Sequence, residues 1–99
     1  MIKRFQILVS GNVQGVGFRR YALRKAIEIH ILGWVRNLVD GRVEVMAQGQ
    51  VDDLQKFVNE LSKGPIAGCV QNVETRDRGA PGRYGTFEVW PDGDGEANE

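Results

Sequence analysis

The chain has 99 residues, and its 41% hydrophobic and 26% charged content fits one small globular domain with a single core. Thirteen basic and thirteen acidic side chains cancel to no formal net charge, which excludes a wholly basic or wholly acidic chain. No apolar run approaches the roughly 20 residues that a bilayer span requires, and one cysteine, Cys69, excludes an intrachain disulfide and a cysteine-rich metal site.

The start, "MIKRFQILVSG", has an apolar run of about five residues, too short for a signal-peptide core, and no small-residue cleavage pattern follows. A cytoplasmic protein without a membrane segment is the expectation. Neutrality conceals an asymmetry. Residues 1–50 hold eight bases and three acids, whereas the last nine, "PDGDGEANE", hold four acids and no base. A positive first half favours an anionic ligand; the plainer reading is that Lys and Arg solvate exposed faces.

In chain order, "FQILVS" (5–10) reads as a strand, with Phe5, Ile7 and Val9 alternating and Leu8 pointing to partial burial of the other face. "GNVQGVGFRR" (11–20) follows, with three glycines, two arginines and no acid. Residues 18–30 have helical spacing: Phe18, Tyr21, Ala22, Ala26 and Ile29 share a face. "GWVRNL" (33–38) reads as a second strand, Asp40-Gly41 as a hairpin turn, and "RVEVMAQ" (42–48) as a third strand. There Val43, Val45 and Ala47 face one way and Arg42, Glu44, Met46 and Gln48 the other. A second helix fits 51–63, with Leu54, Phe57, Val58 and Leu61 on one face, acids at its start and Lys63 at its end. Gly64-Pro65 stops it. Strands are predicted over 69–77 and, after the glycine-rich loop "RGAPGRYG", over 83–90. Residues 92–99 read as a flexible acidic tail behind one domain spanning 1–91.

The order β-α-β-β-α-β predicts an α+β fold, the ferredoxin-like split βαβ sandwich, with an antiparallel sheet and both helices on one face. The glycine stretch fails as a Walker A loop, because no Gly-Lys-Ser/Thr follows. It fails as a dinucleotide fingerprint, because Arg20 stands where a small residue is needed and the fold is not doubly wound. "GVGFRRY" faintly echoes the RNA-recognition motif of a module with the same element order. That motif needs aromatics on the third strand, which has none, so no nucleic-acid partner is expected. A strand that ends in glycines before a helix also suits an anion cradle of converging N–H groups, with Arg19 reaching back from the helix. From these residues alone, the cradle and a plain glycine turn beside a surface arginine stand about even.

Two stretches, "VSGNVQGVGFR" (9–19) and "GWVRNLVDGRVEVMAQG" (33–49), resemble the two signatures of the acylphosphatase family, in order and in spacing. The likeness runs to the Gly-Pro at 64–65. It implies hydrolysis of small acyl phosphates to a carboxylate and inorganic phosphate, with no metal and no cofactor. A monomer whose partner is the small-molecule substrate is the expectation. It places the family's catalytic arginine on Arg19 and its catalytic asparagine on Asn37. The phosphate-binding loop falls on Asn12, Val13, Gln14, Gly15, Val16 and Gly17, acting through backbone amides. Two positions depart from the family pattern. His30 replaces a glycine expected to cap the first helix in a left-handed conformation, at a cost in stability, and Ala22 replaces a hydroxyl residue.

Other residues receive plainer readings. His30 is a helix-end surface residue and Cys69 a structural or incidental thiol. Trp34 belongs to the core or the site wall, and Trp90 is partly exposed. Arg20 and Arg24 lie on solvated helix surface, and Asp40 is a turn residue. Strand alternation points Arg36 away from the face of its neighbour Asn37.

Overall fold

A computed structural model describes residues 1–98. The elements are β1 (Ile2–Asn12), α1 (Phe18–Ile29), β2 (Leu32–Asn37), β3 (Val43–Gln50), α2 (Val51–Lys63), β4 (Cys69–Asp77) and β5 (Phe87–Val89). They form one five-stranded sheet in the order β4-β1-β3-β2-β5. β1 pairs antiparallel with β3 and β4, and β2 antiparallel with β3.

The fold is the expected βαββαβ arrangement, with two corrections. The sheet is mixed, because β5 runs parallel to β2, with Gly33 opposite Phe87 and Val35 opposite Val89. The last strand is also shorter than the predicted 83–90. β4 and β5 lie at opposite edges of the sheet, so the connection between them must cross its width. Residues 78–86 make that crossing and are not free to extend the strand.

Alternation places Phe5, Ile7, Val9, Val35, Val43, Val45 and Ala47 on the face that meets the helices. Phe18, Ala22 and Ala26 of α1 and Leu54, Phe57 and Leu61 of α2 complete this core. Phe57 meets Phe87 edge-on with ring centroids 5.9 Å apart, and the Tyr21 hydroxyl donates to the Glu60 carbonyl at 2.7 Å, tying the helices together. α1 ends as the sequence requires. His30 takes φ 67° and ψ 44°, the one non-glycine positive φ among the described residues. The Ile31 N–H closes on the Ala26 carbonyl at 2.8 Å, the left-handed helix stop that favours glycine.

The opposite face is buried as well. Gln6, Glu44, Met46 and Gln48 project there and are 8% exposed or less. Their cover comes from the chain after β4. The Arg78 guanidinium donates to Gln6 Oε1, and Gln48 Oε1 accepts from the Gly82 N–H at 2.7 Å. Trp90 stacks on Trp34 with centroids 4.4 Å apart and planes 10° from parallel. Trp34 thus lies in this second layer and not among the side chains of the helix-side core. The acidic segment after Trp90 lies along the same face. The Ala97 N–H donates to Glu44 Oε2 at 2.8 Å and its carbonyl accepts from Gln6 Nε2 at 3.1 Å. The Gly95 carbonyl accepts from Arg36 Nη2 at 3.0 Å. Glu96 bridges Arg42 at 2.7 Å and Arg76 at 2.6 Å. An RNA-recognition module stacks bases on aromatics of this open face; here it is already covered, and β3 presents no aromatic.

Candidate active site

The chain between β1 and α1 turns at Gly15 (φ 74°) and Gly17 (φ 81°), the left-handed region where a side chain is strained. Gly17 is the N-cap of α1. No side chain caps that helix, and its first turn contains no acid. Its N–H groups and the positive end of its dipole are therefore left to favour an anion.

A cavity of about 520 Å³ opens at this end of the molecule, lined by Val13, Gly15, Gly17, Phe18, Arg19, Arg20, Leu23, Asn37 and Val89. Arg19 comes from the first turn of α1 and Asn37 from the last residue of β2. They reach one cavity because α1 packs across β2 and β5. Arg19 is partly exposed and Asn37 is 9% exposed. Arg36, one residue earlier, turns to the other face, where its Nε donates to Glu44 Oε1 at 2.8 Å.

Of the loop residues expected in the site, Val13, Gly15 and Gly17 line the cavity and Asn12, Gln14 and Val16 do not. Asn12 ends β1 opposite Cys69, and Val16 packs against the core. Gln14 turns to the β2–β3 hairpin, where its Nε2 donates to the carbonyls of Leu38 (2.7 Å) and Arg42 (2.9 Å). It thus fastens the glycine loop to the turn that follows Asn37, a bond that sequence reasoning missed because it needs the tertiary fold. Asp92 was missed too. Its Oδ1 lies 3.8 Å from Arg19 Nη1, with the two side chains 43% and 64% exposed, so the pair is weak. The one signal in sequence was the acidic composition of the last residues.

Backbone bonds from the C-terminal segment hold the far side of Asn37. The Gly93 N–H donates to the Asn37 carbonyl at 2.9 Å, and the Gly93 carbonyl accepts from the Val39 N–H at 3.1 Å. Among the described residues no group of three or more His, Cys, Asp or Glu side chains is placed to hold a metal ion, and no helix is long and apolar enough to cross a membrane.

Fold and cavity together define a ferredoxin-like α+β domain with a glycine loop, an arginine and an asparagine facing one space. The acylphosphatase family model matches residues 5–89. An acylphosphatase of Methylococcus capsulatus is 40% identical over 91 residues, which cover 92% of this chain and 99% of that protein. The crystal structure of acylphosphatase from Bacillus subtilis superposes with a TM-score of 0.87 at 33% identity, covering 91% of this chain and 99% of that one. An acylphosphatase from Coxiella burnetii superposes with a TM-score of 0.85 at 36% identity, covering 90% and 93%. The chain belongs to the acylphosphatase family and is an enzyme of that class.

Proposed function

We propose that the protein hydrolyses the carboxyl–phosphate bond of small acyl phosphates without a metal ion, with Arg19 binding the phosphoryl group and Asn37 positioning the attacking water. The observation that carries this reading is the convergence of Arg19, Asn37 and the glycine loop, from separate elements, on one cavity.

The water oxygen bonds to phosphorus as the bond from phosphorus to the acyl oxygen breaks. A carboxylate leaves and inorganic phosphate remains. A carboxylate of low pKa needs little protonation as it departs. Phosphoryl transfer passes through a loose state with charge on the equatorial oxygens. Loop N–H groups, the helix dipole and a guanidinium fork are suited to that charge. Asn37 has no basic atom near neutral pH, so its amide orients the water and does not take its proton. The proton passes to a phosphoryl oxygen. Gln14 keeps loop and hairpin in register, so that the phosphoryl group and the water meet in line.

The test is phosphate release from benzoyl phosphate in excess chelator, wild type beside Arg19→Gln. Wild type should turn over in chelator, and the variant should lose about a hundredfold to a thousandfold, the size of one lost transition-state donor. Abolition by chelator would refute metal independence, and full activity in the variant would remove Arg19 from the mechanism.

A further inference from the structure

We propose that Arg20 selects acyl phosphates whose acyl group carries a second, distal carboxylate. The inference rests on the acyl-phosphate reading above and concerns the lining residues that the hydrolysis itself does not use.

The cavity volume of about 520 Å³ falls in the range of roughly 300–1,000 Å³ that accommodates drug-sized ligands, more than a phosphoryl group requires. The glycine loop, Arg19 and Asn37 account for the phosphoryl group and the water. The remaining lining is Val13, Phe18, Leu23 and Val89, all apolar, and Arg20. The apolar walls suit the body of an acyl group, and the one polar group left over is a cation.

Helix geometry separates the two arginines. Consecutive residues of an α-helix project about 100° apart, so Arg20 flanks the place where Arg19 points and does not duplicate it. Leu23, three residues after Arg20 and four after Arg19, lies on the side of α1 between their two directions. An acyl group resting on Leu23 and Val89 shares the cavity with Arg20, which lines it too. The charges differ as well. Arg19 has Asp92 at 3.8 Å, whereas Arg20 is exposed and has no ion pair or hydrogen bond among the described residues. Its guanidinium, always charged and forked, fits a carboxylate.

The experiment compares benzoyl phosphate with 4-carboxybenzoyl phosphate, a rigid pair that differs only by the distal carboxylate. Arg20→Gln is expected to lower kcat/KM for 4-carboxybenzoyl phosphate about fivefold more than for benzoyl phosphate, the scale of one exposed ion pair. The change should fall on KM, because this contact is equal in ground and transition states. Arg20→Lys should keep most of the discrimination, and raised salt should shrink it in wild type. An equal loss on both substrates would make Arg20 part of phosphoryl binding or of the general field and overturn the proposal, as would an unchanged ratio. If wild type releases phosphate from neither compound, the acyl-phosphate reading itself fails and takes this inference with it.

Discussion

On one face of the sheet, Val9, Val35, Val43 and Val45 meet Phe18, Ala22, Leu54 and Phe57. On the other, Gln6, Glu44 and Gln48 meet Arg78, Gly82 and Ala97 through paired donors and acceptors. Both faces are dry, but for different reasons. Apolar burial is non-directional, so any well-shaped apolar helix face covers the first. Each buried polar group on the second needs a particular partner at hydrogen-bonding distance, or it costs the full desolvation of that group. The first face tolerates substitution by volume. The second depends on individual atoms that residues 78–97 deliver from far along the chain.

That contrast can be broken or sharpened by experiment. Phe57→Ala, in the helix-side core, should cost about 3–5 kcal/mol in a urea titration, a large part of the roughly 5–15 kcal/mol that holds such a domain together. Glu44→Ala should cost about 3 kcal/mol, because it leaves the Arg36 guanidinium without its buried acceptor. The double change Glu44→Leu with Arg36→Met should cost less than Glu44→Ala alone, since it removes both charges together. If Glu44→Ala is instead nearly neutral, the polar face is held by shape and the contrast disappears.

The site draws on both covers, and its variants should separate chemistry from stability. Asn37→Ala is expected to lower kcat about a hundredfold through lost water positioning, while inorganic phosphate still protects the variant against heat. Wild-type turnover in that variant would end the water-positioning role.

Acid should loosen the second face in a defined direction. Hydrogen bonds from Arg42 and then Arg76 hold the Glu96 carboxyl below its ordinary range. A lowered folded pKa means that this contribution is complete above the unfolded value of about 4.3 and is lost as pH falls through the folded one. The drop in Tm from pH 7 to pH 3 should therefore be smaller in Glu96→Gln than in wild type. Equal drops would show that Glu96 does not fasten the segment. The smallest effect is expected at His30. His30→Gly should raise stability by about 0.5–1 kcal/mol, or a few degrees in Tm, by relieving the left-handed cap, with no change in rate.

The same contrast explains what was legible in the sequence. The alternation of Phe5, Ile7 and Val9 and the helical spacing of Leu54, Phe57 and Leu61 revealed the helix-side core directly, since periodicity records which face is apolar. Leu8 hinted that the other face is covered, and it is buried. Glu44 and Gln48 could not tell the same story, because a buried, paired carboxylate or amide looks in sequence like a solvated one. Trp34, expected in the core or the site wall, is buried, but its stacking against Trp90 was not legible because that partner comes from the far end of the chain. The short β5 and its parallel pairing with β2 were not legible, since no local pattern states which edge a strand joins. Arg19 and Asn37, singled out by the two motif stretches, line one cavity. The bonds from Gln14 to the hairpin and from Gly93 to Asn37 depend on elements far apart in sequence meeting at one end of the sheet.

Synthesis order gives the β2–β5 pairing a further consequence. β1, β3 and β4 can pair as soon as residue 77 has emerged, but the outer edge of β2 is then still bare, with its N–H and C=O groups open to another chain. Only when Phe87–Val89 and Gly93 follow are Gly33, Val35 and Val39 supplied with partners. A nascent chain stalled before residue 87 would thus expose a ready template for intermolecular strand addition, and the strand that carries Asn37 would be the last to be sealed.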